Sequence, residues 1–266
     1  MEYLKLINGT KMRTVIRGSD GFGSQMLCMF LGYLNTVRDG QEFCYTPLQT
    51  ILLANDVGPA NNELALLNSI IKKIMNKLSV PCCSEVQSTP IEASNHEDVY
   101  PNVNKDTFLK KNLLPLHSAW PLESPYEEGT FNVVIHLRRG KDIVRGDVNR
   151  WTPSDYYNDL IPKLLTSYPK ALIHTVSWEC PELSDFNSSR VIHHTCSEGD
   201  EITEHYNMLV HADMLFLCSS TFSSSAALFN KNMVLLDSSL MKLTGCPTDE
   251  RWANNFTEES TKWEKH

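Results

Sequence analysis

Apolar positions along this chain keep changing rhythm between a strand's period of two, or an unbroken short run, and a helix's period near 3.6. Thr14-Val15-Ile16-Arg17 is a short β-prone run that ends in Gly18-Ser19-Asp20-Gly21-Phe22-Gly23. Met26, Phe30, Tyr33, Leu34 and Val37 then share one helical face, with Ser24 as the N-cap candidate and Gly40 as the stop. Residues 42–45 resume as a strand. A second helix is predicted over 62–78, where Leu64, Leu67, Ile71, Ile74 and Leu78 are in register. From 79 to 130 the pattern dissolves into Pro, Asn, Ser and charged residues, except for a short helical patch at 105–114. Pro121, Pro125 and Gly129 punctuate the chain there and place a lobe boundary near 118–129.

The second half is more regular. Residues 131–137 form a near-continuous apolar run, as a parallel strand buried on both faces requires. Thr152 as cap, Pro153 at the first helical position and Asp155 in the first turn start a helix to about Tyr168. Pro162 inside it predicts a kink or an early break. Strands are expected at 172–177, 190–194, 214–218 and 233–236, and helices at 201–211 and 223–229. Strands alternating with helices predict a mainly parallel, Rossmann-like sheet. The expected division is an N-terminal α/β lobe at 1–120 and a C-terminal Rossmann-like lobe at 121–266.

Composition narrows the function. The 266 residues, 41% of them hydrophobic, suffice for a real core in one large domain or two lobes. A formal net charge of −8 argues against a broad nucleic-acid footprint. The opening run Met1-Glu2-Tyr3-Leu4-Lys5-Leu6-Ile7 is broken by charges and shorter than a signal peptide, and no window is apolar enough to span a bilayer. The expectation is therefore a cytoplasmic protein without membrane insertion. Its eight cysteines are scattered without zinc-like spacing and are read as reduced and buried. His174, His193 and His194 are read as packed in strands, not as metal ligands.

The candidate chemistry sits in Val134-Ile135-His136-Leu137-Arg138-Arg139-Gly140-Lys141-Asp142. An apolar strand delivers two arginines and a lysine to its carboxyl end, which is where open α/β sheets bind ligands. Arginine's planar fork suits phosphate oxygens and stays charged. Gly21-x-Gly23 lacks the third glycine of a dinucleotide fingerprint, and there is no P-loop. Those glycines either let the backbone approach a ligand or tighten a turn.

His136-Leu137-Arg138-Arg139-Gly140 resembles the His-x-Arg-Arg motif of the α-1,2- and α-1,6-fucosyltransferase superfamily. Gly21-Phe22-Gly23-Ser24-Gln25-Met26 is similar to that group's N-terminal glycine loop. Ala212-Asp213-Met214 through Ser219-Ser220-Thr221-Phe222-Ser223 is similar to its C-terminal segment. The resemblance covers about residues 13–46 and 131–237. It implies a GT-B-like fold of two Rossmann-like lobes, with the donor nucleotide held mainly by the second. It implies that Arg138 contacts the donor's β-phosphate, that His136 lies near the nucleotide, and that Ser223 and Ser224 fall where the diphosphate is hydrogen-bonded. Arg139, Lys141, Thr221, Gly21 and Gly23 join them as donor-side residues. Glu204 is a candidate for base recognition, and Asp213 is either structural or ribose-facing. Lys141 stands where the family usually has Asp, and Ser224 and Ser225 replace Trp residues of the α-1,2 branch; both departures bear on the donor sugar.

The chain has no Asp-x-Asp pair, the usual holder of a divalent ion in metal-dependent transferases. No metal or other cofactor is expected, and the basic cluster would offset leaving-group charge in its place. Inverting transfer needs a base for the acceptor hydroxyl, and Asp147 and Asp142 are the candidates. The expected activity is glycosyl transfer from a nucleotide-sugar donor, with GDP-fucose first and UDP-xylose as an alternative, to a glycan acceptor. A sugar-nucleotide-binding module without turnover is the competing class. Oligomeric state is not readable from the residues.

Overall fold

A computed structural model of the chain describes residues 12–16, 21–51, 61–84, 88–92, 114–139, 152–178, 188–195 and 201–235. The chain divides into two compact units, Met1–Pro121 and Leu122–His266. The first contains β1 (Met12–Ile16), α1 (Phe22–Arg38), α2 (Asn61–Lys77), β2 (Ser88–Glu92) and a short helical turn α3 at 114–119. The second contains β3 (Phe131–Leu137), α4 (Ser154–Ser167), β4 (Ala171–Ser177), β5 (Val191–Thr195), α5 (Ile202–His211), β6 (Met214–Phe216), α6 (Thr221–Ala227) and β7 (Met233–Leu235). The chain is α/β with parallel sheets, as its pattern predicts. Among the described residues no helix is long and apolar enough to cross a membrane.

In the first unit, α1 departs from the one-faced helix expected. Every residue from Phe22 to Gly32 is buried, so the helix forms the middle of its unit. Gly21, not Ser24, is its N-cap; the Gly21 carbonyl accepts the amides of Ser24 and Gln25 at 3.1 and 3.2 Å. Its end follows expectation. Gly40 takes φ +66, and the amides of Gly40 and Gln41 return to the carbonyls of Val37 and Thr36 at 3.1 and 2.9 Å. This is the paired Schellman closure that favours glycine. The predicted strand at 42–45 is reduced to isolated bridges at Phe43 and Tyr45, and β2 lies in a stretch that shows no strand pattern. The helical patch at 105–114 falls outside the described residues except for Leu114, where α3 starts.

α2 ends in the same closure with a less suitable residue. Ser79 sits at φ 58, and the amides of Ser79 and Val80 bond the carbonyls of Asn76 and Met75 at 3.1 and 2.8 Å. A side chain in the left-handed region costs about 1 kcal/mol, which glycine avoids. Ser79→Gly is therefore expected to stabilise the protein by about 1 kcal/mol. Chemical denaturation tests this; an unchanged or lower midpoint would show that the Ser79 side chain contributes something the turn geometry does not.

The second unit is built on one five-stranded sheet in the order β5-β4-β3-β6-β7, with every neighbouring pair parallel. Renumbered from its first strand the order is 3-2-1-4-5, the doubly wound Rossmann arrangement. β3 is central and buried from Asn132 to Leu137. One face carries Val133, Ile135, Leu137, Ala171, Ile173 and Met214, against which α4 packs Tyr157, Ile161 and Leu164. Each of the buried Val, Leu, Ile and Met side chains among them contributes about 1.5–3 kcal/mol. The α4 start differs by one residue from expectation: Pro153 is the N-cap, and Thr152 is buried before it. Pro162 does not end the helix, which runs on to Ser167; the residue lies on the exposed side, where water can serve the carbonyl that proline leaves unbonded.

The other face carries Asn132, Val134 and His136 on β3, with His174 and His194 beside them, and meets α5. Phe222 of α6 lies between Tyr206 of α5 and His136, with ring centroids 5.3 and 5.6 Å away. Asn230, almost fully buried, closes α5 by donating to the carbonyls of Leu209 and Ala212 at 2.9 and 3.0 Å. Those are carbonyls that a helix end leaves without partners.

Candidate functional site

Connections reverse direction between β3 and β6, so their carboxyl ends flank the topological switch point, where doubly wound sheets bind ligands. Arg138 follows the last residue of β3. It is half-buried, and its Nη1 donates to the Ser219 carbonyl at 3.3 Å, bridging the two strand ends. Cys218 and Ser219, which follow β6, are both buried. Ser219 Oγ has no hydrogen-bond partner among the described residues. A buried hydroxyl without a partner at a strand-end crevice is a group that a bound molecule can satisfy.

Arg139 takes a different direction. Its guanidinium lies over the Tyr157 ring, 5.5 Å from the centroid, and its Nη2 donates to Ser154 Oγ at 3.3 Å. Its Nη1 donates to the Arg138 carbonyl at 3.0 Å. The two adjacent arginines thus divide: Arg138 spans the switch point, and Arg139 fastens β3 to the start of α4. Arginine combines ring stacking and forked donation in a way lysine does not.

His136 is buried with its Nδ1 3.1 Å from Cys218 Sγ. Burial, the Arg138 charge and His205 push its pKa down to about 3, so the ring is neutral. Burial pushes the Cys218 thiol up to about 12 although Arg138 opposes this, so the sulfur is protonated.

Further histidines line the same face. Asn132 Nδ2 donates to the Thr130 carbonyl and to Thr130 Oγ1, at 3.2 and 2.8 Å, so Asn132 Oδ1 is an acceptor. His174 Nε2 must then donate to it across 3.2 Å, which leaves His174 Nδ1 to accept from His194 Nε2 at 3.0 Å. The chain of bonds has one direction and requires a neutral His174 ring. Burial and then His194 push His174 down to about 4, and burial and then His194 do the same for His205. Among the described residues no three His, Cys, Asp or Glu side chains gather as metal ligands would.

The other expected site residues scatter. Asp213 stands level with Asn132, at the amino edge of the sheet, and its Oδ2 accepts the Asn132 amide at 2.8 Å. Six residues at about 3.3 Å each separate that level from Arg138. Asp213 therefore ties β3 to β6 at the amino edge of the sheet. Ser223 is fully buried, and its hydroxyl donates to the Ser220 carbonyl at 3.2 Å; Ser224, half-buried, donates to the same carbonyl at 3.0 Å. Both hydroxyls thus bond the first turn of their own helix. Thr221 is half-buried as the first residue of α6. Glu204 is exposed in the first turn of α5, close enough to His194 to oppose the fall in its pKa that burial causes. Gly21 and Gly23 belong to the first unit, Gly21 capping α1 and Gly23 buried in its first turn. Lys141, Asp142 and Asp147 lie outside the described residues.

Four participants were not anticipated: Cys218, the Ser219 carbonyl, Ser154 and Tyr157. Cys218 and Ser219 do carry a signal, because they end the apolar run of β6 just as Arg138 ends that of β3. Ser154 and Tyr157 carry none that separates them from ordinary helix residues.

The strand order defines the second unit as a Rossmann-type α/β fold. No protein-family model matches the chain, and no curated protein matches it. Among solved structures it is similar to the iron-containing dodecameric glycosyltransferase TibC from enterotoxigenic E. coli H10407, with 12% identity over 85% of this chain and 58% of that one, at a TM-score of 0.45. It is also similar to KpsC of Thermosulfurimonas dismutans, a beta Kdo 2,4 transferase, with 14% identity over 52% of this chain and 46% of that one, at a TM-score of 0.32. The chain spans about half the length of these structures.

Proposed function

We propose that this chain is an inverting, metal-independent glycosyltransferase of the GT-B-like type, with Arg138 as the group that holds the donor's diphosphate. The observation that carries the reading is the position of Arg138, a half-buried guanidinium bridging the carboxyl ends of β3 and β6 at the switch point. The unpartnered Ser219 hydroxyl beside it supports the same reading. In this scheme the acceptor hydroxyl attacks the anomeric carbon from the side opposite the nucleotide. The C–O bond to the diphosphate breaks, and the electron pair leaves with the nucleotide. Arg138 offsets the charge that develops on the leaving oxygen, and a carboxylate, Asp147 or Asp142, takes the acceptor's proton. Lys141 is a second cation in the same segment. The His-x-Arg-Arg resemblance favours fucose from GDP-fucose; UDP-xylose is the alternative donor, because a diphosphate grip does not read the sugar.

A thermal-shift screen across GDP- and UDP-sugars in EDTA tests the reading, since a ligand that binds only the folded chain raises its melting temperature by mass action. A specific rise with one nucleotide sugar, followed by transfer or donor hydrolysis in EDTA, is the expected outcome. Activity that vanishes on chelation and returns with manganese contradicts the metal-independent scheme. A second reading, a sugar-nucleotide-binding module, rests on Lys141 standing where the family usually has Asp. Binding without turnover against a broad acceptor panel would select it.

A further inference from the structure

The His136-Leu137-Arg138 segment does not hold its own geometry. His136 and Arg138, two residues apart, belong to one side of the end of β3, and the His136 ring and the Arg138 backbone both meet one sulfur from the neighbouring strand end. His136 Nδ1 lies 3.1 Å from Cys218 Sγ, and the Arg138 backbone amide hydrogen-bonds the same atom. Cys218 has no exposed surface to speak of, at 2%, so no water competes for these bonds.

We propose that Cys218 is a positioning residue, a thiol clasp across the β3–β6 switch point that holds the Arg138 backbone in place and fixes His136 as its Nε2–H tautomer. The inference rests on the reading of His136 and Arg138 as donor-binding residues only for its functional consequence. A protonated thiol has one hydrogen to give. The sulfur already accepts the Arg138 amide, so its S–H is left to find an acceptor. Ser223 borders the sulfur, and its own hydroxyl proton goes to the Ser220 carbonyl at 3.2 Å. Between a hydroxyl oxygen and the lone pair of a neutral imidazole, the imidazole nitrogen is the better base, so S–H donates to Nδ1. The ring proton then sits on Nε2. Had Nδ1 carried it, the sulfur would have to accept twice, a poor use of a weak acceptor.

The tautomer matters for an anionic ligand. A His136 with Nε2–H offers phosphate oxygens a donor, whereas the other tautomer turns a lone pair toward them. His136 stays neutral at working pH, so its contribution depends on where this proton sits and not on a charge.

The test reads the imidazole directly. Side-chain 15N spectra of the full chain, labelled in histidine and assigned through His136→Gln, give the tautomer without any ligand. The expected result is an unprotonated Nδ1 and a protonated Nε2 in wild type, kept in Cys218→Ser and lost to a tautomer mixture in Cys218→Ala. The Cys218→Ala chain should also bind GDP about tenfold more weakly, the effect of one buried hydrogen bond, with Cys218→Ser near wild type. A wild-type His136 protonated on Nδ1 overturns the proposal even if neither Cys218 variant folds. So does a folded Cys218→Ala chain whose tautomer is unchanged. A wild type that binds no nucleoside diphosphate would defeat the functional reading of the site, and the tautomer result would still decide the clasp.

Discussion

Arg138→Ala should lower transfer by about 10²–10³-fold while the protein keeps its melting temperature within a degree or two, because one preorganised donor facing developing charge is removed. Loss of the bond from the half-buried guanidinium to the Ser219 carbonyl is modest for the fold. Arg139→Ala should behave in the opposite way. It forfeits the stacking on Tyr157 and the bond to Ser154, so its main effect is on stability, about 1–2 kcal/mol. Turnover at saturating donor and thermal melts of both variants, measured side by side, separate the two roles. If Arg139→Ala loses turnover with an unchanged melt while Arg138→Ala remains active, the division of labour between the adjacent arginines is the reverse of the one proposed.

Mild acid should unfold the second unit. His136, His174 and His205 have pKa values pushed down to about 3, 4 and 4, in each case first by burial. The unfolded chain takes up these protons near pH 6.5, the ordinary histidine value, and the folded chain resists them. Stability from these rings is thus complete above about pH 6.5 and is lost as the pH falls toward 4. Each ring contributes a slope of up to about 1.4 kcal/mol per pH unit in that window. The bonding pattern explains the resistance at His174: both ring nitrogens are already committed, and a proton on Nδ1 would face the N–H of His194. Melting temperatures from pH 7.5 to 5 should fall steeply in wild type and less steeply in His174→Gln. A flat profile, or the same slope in that variant, would remove the neutral relay from the account.

How far the fold could be read ahead depended on how local its causes are. β3, β4, α2 and α5 were legible to within a residue or two because burial on two faces or one leaves a plain period in the chain. The Gly40 stop was legible because the closure selects glycine. β2 was not, since Ser88-Thr89-Pro90-Ile91-Glu92 has no strand rhythm and owes its form to pairing with β1. The strand at 42–45 failed for the same reason in reverse: a β-prone run found only isolated bridges. At the site, Arg138 was legible as a charge placed straight after a buried strand. The diversion of Arg139 was not, because what draws it away is Tyr157, which reaches it only through the packing of α4 on the sheet. Asp213 stayed open between a structural and a ribose-facing role because sequence order does not say which edge of a parallel sheet a residue ends on. It precedes its strand, and ligands gather where strands finish.

Calorimetric titration of GDP, GMP and guanosine into wild type and Arg138→Ala, in EDTA, tests the central assignment most directly. The account predicts that wild type prefers the diphosphate over the nucleoside, and that this preference collapses in Arg138→Ala while the weak nucleoside affinity stays. Equal preference for the diphosphate in both proteins, or diphosphate binding that appears only when a divalent cation is restored, would contradict it.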